Sequence, residues 1–175
     1  HQGMKQLVTD LNRLYHSEPT LHHYEFEWQG FDWIDCHDAD QSILSYLRKK
    51  DDDFLVVVVN FTPVPRHGYR IGVPRAGRYT EIFNSDSHYY AGSGVGNGGV
   101  DMIAEDRAWM DRPYSITITV PPLGGLVLRP LEPAPKPVAV IEAEVVKEVE
   151  EETVAPLKTA IGRRVAAEAE LAQPE

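Results

Sequence analysis

Several groups of side chains in this sequence could do chemistry, and each is weighed by its spacing. Gly92 to Gly99 holds a formal G-x-G-x-x-G match at Gly94, Gly96 and Gly99. That fingerprint grips a pyrophosphate only between a strand and a helix N-terminus, where free N–H groups and the helix dipole meet the anion. Ser85-Asp86-Ser87-His88 precedes it and no helical pattern follows, so it reads as a mobile surface loop. His16, His22, His23, His37, His67 and His88, with Cys36, offer metal-ligand types. None has zinc-finger or HExxH spacing, so no metal and no other cofactor is expected. Asp32, Asp35, Asp38 and Asp40, and the run Asp51–Asp53, could supply a glycosidase-type carboxylate pair. Such a pair needs one partner buried to raise its pKa. These acids sit among Gly, Lys and Gln and read as solvated turns, so no catalytic residue is assigned. Asn60-Phe61-Thr62 matches a glycosylation acceptor, but at the end of an apolar strand it reads as chance.

Aromatic rings are the remaining candidates. Trp28, Trp33, Tyr79, Tyr89, Tyr90 and Trp109 could stack on sugar rings if exposed. Most rings in a β-rich domain fill its core. Trp109, Tyr89 and Tyr90 lie in loop-like sequence, which makes them the candidate glucan contacts.

The elements that would position these groups fall into three segments. In residues 1–16, Met4, Leu7, Val8, Leu11, Leu14 and Tyr15 recur at three- and four-residue steps, which predicts an amphipathic helix ended by Pro19. Residues 21–131 predict an all-β domain. Phe31–Asp35, Ile43–Arg48, Phe54–Phe61, Tyr69–Val73, Tyr79–Phe83, Ser115–Val120 and Gly125–Leu128 are rich in β-branched and aromatic residues. Phe54 to Phe61 is almost continuously apolar, which predicts a central strand buried on both faces. Ser115 to Val120 alternates, which predicts one wet face. Many short strands joined by Gly and Pro turns point to a sandwich or barrel. Residues 132–175 change to Pro, Ala, Val and Glu, with a charge run at Glu148 and Glu150–Glu152, and read as a largely disordered acidic tail.

Composition bounds the partners. The 175 residues carry a net charge of −10, which disfavours nucleic acid. No apolar run is long enough to span a bilayer, so no membrane partner is expected. The single Cys36 allows no intrachain disulfide, and with no secretory pattern at the start a reducing, cytoplasmic setting is expected. A chain opening on His1 also fits one that begins within a longer gene.

One resemblance orders these parts. Phe54-Leu55-Val56-Val57-Val58-Val59-Asn60-Phe61-Thr62-Pro63-Val64-Pro65-Arg66, then His67-Gly68-Tyr69-Arg70-Ile71-Gly72-Val73-Pro74, is similar to the C-terminal domain of bacterial 1,4-α-glucan branching enzymes. The likeness continues through Gly77 to Asp86, the glycine loop, and the strand pair around Pro121-Pro122-Leu123. Leu11-Asn12-Arg13-Leu14-Tyr15, Glu18-Pro19 and Gly30-Phe31-Asp32-Trp33-Ile34 resemble that family's last barrel helix leading into its β domain. The resemblance implies a mainly β chain with three parts. Residues 1–20 would be the last helix of a truncated (β/α)8 barrel, 21–131 an antiparallel β-sandwich, and 132–175 a tail beyond the family's end. It implies glycogen synthesis for the parent enzyme. The two aspartates and the glutamate of that chemistry belong to strand ends of the barrel. No residue here matches them, so the chain is expected to be inactive alone. Its expected partners are the catalytic barrel of the same polypeptide and α-glucan. A stand-alone glucan-binding sandwich is the alternative.

Overall fold

The computed structural model describes residues 1–131. The reading of 132–175 as a disordered tail lies outside the described residues. Helix α1 (Gln2–Ser17) is followed by a single turn, α2 (Pro19–His22). Eight strands come next: β1 (Phe31–Asp35), β2 (Ile43–Lys50), β3 (Asp53–Asn60), β4 (Arg66–Val73), β5 (Arg78–Asn84), β6 (Met102–Ile103), β7 (Tyr114–Val120) and β8 (Gly125–Pro130). One sheet has six strands in the order β1-β2-β3-β8-β5-β6, and a second pairs β4 with β7. Every pairing is antiparallel.

The core lies between the two sheets. Phe54, Val56 and Val58 of β3, with Leu126 and Leu128 of β8, meet Tyr69, Ile71 and Val73 of β4 and Ile116, Ile118 and Val120 of β7. Period-two alternation sends the other β3 residues, Leu55 and Val57, to the opposite face. There, with Val127, they meet Leu14 and Leu21 from the helical segment. Thus β3 is buried on both faces, as its unbroken apolar run predicts. β2 and β3 join through Asp51 and Asp52, with Asp51 at φ 51; aspartate tolerates the left-handed region better than most residues.

Three features depart from expectation. Pro19 does not simply end the helix. It is the first residue of α2, where its missing N–H and fixed φ cost nothing. Thr20 on that turn is buried, and Arg48 donates to the Leu21 carbonyl at 2.7 Å. The wet face of β7 is only partly wet. Ser115 is 0% exposed because Glu105 pairs with it across an isolated bridge and Arg70 donates to its hydroxyl at 2.8 Å. Among the rings outside loop-like sequence, the expectation of a core place holds for Tyr79 and fails for Trp28 and Trp33, which are 85% and 46% exposed; Trp109 is 39% exposed. The core is built mainly from aliphatics, with Phe54, Tyr69 and Tyr79 among them; Tyr79 is fully buried and its hydroxyl donates to the Arg75 carbonyl. Burial pushes the Tyr79 phenol up to about 12.

Candidate functional site

The three candidate aromatics do not form one platform. Tyr90 helps hold the fold together. Its ring lies against Phe83 at 5.8 Å and its hydroxyl donates to Asp10 of α1 at 3.2 Å. Tyr89 stands 78% exposed beside it. Both line a cleft of about 380 Å³ next to the glycine loop. Trp109 belongs to a different depression, an open groove of about 610 Å³ that it shares with Asp38, Gln41, Arg66 and Tyr69.

Gly92 to Gly99 is a surface loop, but not a loose one. Asp86 accepts from the Ser93 N–H at 2.8 Å, from the Ser93 hydroxyl, and from the Val95 N–H at 3.1 Å. Glu81 accepts from the Asn97 N–H and side-chain amide, and Asn97 pairs both ways with the Thr119 backbone. A methyl group on Gly96 would run into the Asn84 amide and press on the Glu81 carboxylate, so any larger residue there would have to displace the side chains that anchor the loop. The loop is folded onto carboxylates, which take up the N–H groups of Ser93, Val95 and Asn97.

Burial alone would raise the Asp86 pKa, yet the Ser93 and Val95 hydrogen bonds win and hold it below the ordinary carboxylate value. A depressed folded pKa gives stability that is full above the unfolded value, about 3.9, and is lost as pH falls toward the folded one. The loop therefore stays closed at neutral pH and loosens only in acid below about pH 4. The Ser93 and Val95 amide NMR shifts should titrate together, with a midpoint under the unfolded value. A midpoint above it would contradict these bonds.

The acidic cluster is dispersed among separate partners. Asp32 pairs with Arg112 at 2.9 Å and lies 3.8 Å from Lys49. Asp35 accepts from the His37 N–H. Asp38 accepts from the Tyr69 hydroxyl at 2.7 Å and the Gln41 amide at 3.1 Å. Burial and that carboxylate drive the Tyr69 phenol well above its usual value. Asp32, Asp35 and Asp38 are thus each engaged by a different set of donors. Among the described residues no three His, Cys, Asp or Glu side chains gather as a metal site, and no helix is long and apolar enough to cross a membrane.

The feature that sequence reasoning only half found is the outer face of α1. The predicted single apolar face splits in two. Leu14 packs on the outer face of the large sheet, and Leu7 is half-buried. Met4, Val8, Leu11 and Tyr15 remain 62%, 48%, 42% and 37% exposed. Their spacing of four, three and four residues places them in one stripe. Phe26 and Trp28, 95% and 85% exposed, stand in the segment after α2, and Tyr15 donates to Glu25 of that segment at 2.9 Å. An apolar stripe on a helix already docked by its other side has the form of an interface.

Residues 33–130 match the family described as alpha amylase, C-terminal all-beta domain.

The chain belongs to this family.

Its similarity reaches beyond the all-beta domain, because the relatives match over more residues than that span. The 1,4-alpha-glucan branching enzyme GlgB of Nitrosococcus oceani is 59% identical over 136 residues, 78% of this chain and 18% of that protein. The same enzyme of Methylococcus capsulatus is 53% identical over 137 residues, again 78% of this chain and 18% of the relative. That of Cellvibrio japonicus is 52% identical over 129 residues, 74% and 17%. The chain thus spans about a fifth of the length of the curated relatives it matches. A crystal structure of alpha-amylase from H.orenii aligns at TM-score 0.43 with 17% identity, over 72% of this chain and 20% of that one. As a member of the alpha amylase C-terminal all-beta family, this chain holds an antiparallel two-sheet domain behind an amphipathic helix.

Proposed function

We propose that this chain is the C-terminal accessory part of a glycogen-synthesising 1,4-α-glucan branching enzyme. In this reading residues 1–20 are the last helix of a catalytic (β/α)8 barrel in the same polypeptide, and residues 21–131 are the sandwich that holds it. One observation carries it: α1 is docked on the sandwich by Leu14, while Met4, Val8, Leu11 and Tyr15 face outward. A large apolar side chain gains about 1.5–3 kcal/mol on full burial, so a barrel seated on that stripe and on Phe26 and Trp28 would be held firmly. The names of the relatives support the choice of barrel chemistry. A stand-alone glucan module draws less support, because the candidate rings line separate clefts.

Reconstitution tests the reading. A Nitrosococcus oceani branching enzyme lacking the matching segment is mixed with this chain, and branching is read from the iodine spectrum of the glucan. Activity is expected to return with the unaltered chain and to stay absent with Val8→Lys plus Leu11→Lys. Equal rescue by both would sink the proposal. The isolated chain gives a second readout. Binding of an apolar-surface dye should fall with Leu11→Lys and change little with Leu7→Lys, whose side chain is half-buried.

A further inference from the structure

The groove beside Trp109 is built rather than incidental. Trp109 and Arg112 exchange two backbone hydrogen bonds of 3.0 Å, closing a two-residue turn at Met110 and Asp111. Both turn residues have positive φ, 49 and 56, although neither is glycine. Two successive left-handed residues of this kind store strain, and such strain persists only where surrounding contacts enforce it. Those contacts are present. Arg112 donates to the Trp33 carbonyl at 2.6 Å and pairs with Asp32. The Trp109 carbonyl lies so close over Gly72 that a methyl there would collide with it. The Arg107 guanidinium lies 5.5 Å from the indole centre, a cation–π contact. The strained turn thus holds an indole at the rim of the groove, 39% exposed.

The rest of the groove mixes apolar Pro65 and Met110 with polar residues of both signs, Asp38 against Arg66 and Arg70. Asp38 supplies carboxylate oxygens; Oδ2 accepts from the Tyr69 hydroxyl and the Gln41 side-chain amide, and Oδ1 accepts from the Gln41 N–H, which leaves Oδ1 room for a further donor. Arg66 has a buried Nε without a hydrogen-bond partner, an arrangement that loses free energy unless something completes it. Arg66 sits beside a bulge in β4, where the register slips between Arg66 and Tyr69; bulges re-aim side chains in this way. Arg70 is taken by Glu105 at 2.8 Å. An anion would find the Arg66 guanidinium in a groove that the Asp38 carboxylate also lines. An uncharged polyol would find an apolar ring, a donor and an acceptor within one groove, which suits a sugar ring with vicinal hydroxyls.

We propose that the Trp109 groove binds a neutral saccharide chain of the α-1,4-glucan class, one ring lying on the indole and its hydroxyls on Asp38, Gln41 and Arg66. The choice of α-glucan rests on the branching-enzyme reading, while the choice of an uncharged saccharide rests on the groove alone.

Maltoheptaose titrated into the labelled 175-residue chain tests it, followed by amide and indole NMR shifts. The expected result is movement of the Trp109 indole N–H and the Gln41 side-chain amide. Affinity should fall roughly tenfold or more with Trp109→Ala, fall with Gln41→Ala, and hold with Tyr89→Ala. The remaining amide spectrum of Trp109→Ala reports that the domain is still folded. An absence of shifts with maltoheptaose overturns the proposal, as does binding that survives Trp109→Ala. Inorganic phosphate moving the same signals would also overturn it, making this an anion site. Failure here leaves the accessory-domain reading standing, since reconstitution depends on the α1 stripe and on none of these residues.

Discussion

Replacing Asn60 by alanine is expected to destabilise the domain by about 2–3 kcal/mol, one of the largest effects open to a single polar side chain here. Asn60 is 1% exposed and makes four hydrogen bonds. Its Nδ2 donates to the Val64 carbonyl at 2.8 Å and the Pro121 carbonyl at 2.9 Å. Its Oδ1 accepts from the Thr62 N–H and hydroxyl at 2.9 and 2.8 Å. It therefore ties the end of central β3 both to the turn that follows and to the β7–β8 connection. Alanine would leave the buried Pro121 carbonyl without its partner, and would free the Val64 carbonyl and the Thr62 donors at a part-buried edge that water reaches. Thermal unfolding should show a midpoint lower by on the order of 10 °C. Asn60→Asp, which keeps the acceptor but loses both donors, should be nearly as damaging. A shift of only a degree or two for both variants would show that Asn60 is not the tie described. The same geometry explains why the glycosylation-like triplet cannot be glycosylated in the folded domain: the amide nitrogen that would carry the sugar is fully engaged.

Asn60 also shows what could be read from the sequence and what could not. The strand it ends was plain, because an unbroken apolar run has one stable home, the centre of a covered sheet. The side chain's role was not plain, because its partner Pro121 lies 61 positions away, and no local pattern announces such a bond. The same division runs through the rest of the molecule. Helix α1 was legible from its period, but six apolar positions made the stripe too broad to show that it would be divided. Only the packing of Leu14 on Val57 and Val127 tells which part is covered. Ser115 looked wet by alternation, and became buried through Arg70 and Glu105, which come from other elements.

The candidate site fares differently from the fold for a physical reason. Strands follow from periodicity, which is local. The exposure of a ring depends on what happens to pass over it. Trp109 owes its place to Gly72 and to a turn at Met110 and Asp111. A turn with two positive φ values usually carries Asn or Gly, so this one left no signature. Tyr89 and Tyr90 are neighbours in sequence with opposite fates, because only Tyr90 finds Phe83 and Asp10 within reach. The glycine loop looked free because its glycines were visible and its anchors, Asp86 and Glu81, were ordinary acids. Where the resemblance helped was in order along the chain, which is what homology preserves. It placed helix and sandwich together, and left the division of the α1 face to be found in the packing.

That division depends on α1 being held in place, and the second large effect is expected at the point of attachment. Arg129 of β8 pairs with Glu18, the residue between α1 and α2. The Glu18 side chain is 12% exposed and that of Arg129 is 39% exposed. Arg129→Met removes the guanidinium and leaves a largely buried carboxylate without its partner. The cost should be about 2 kcal/mol, below the roughly 3–5 for a fully buried pair because water reaches the arginine side. The loss should be local. Amides of α1 should exchange about tenfold faster or more, a factor that 2 kcal/mol comfortably supplies, while those of β3 hold their protection. Adding Glu18→Gln removes the stranded charge and should recover part of the loss, giving a favourable coupling in the double-mutant cycle. If α1 exchange does not respond to Arg129→Met, the helix is fixed by Leu14, Leu21 and the Tyr90–Asp10 hydrogen bond. If it responds, the ion pair sets the angle at which Met4, Val8, Leu11 and Tyr15 are presented. Reconstitution of branching should then weaken with Arg129→Met although no residue of the stripe has changed.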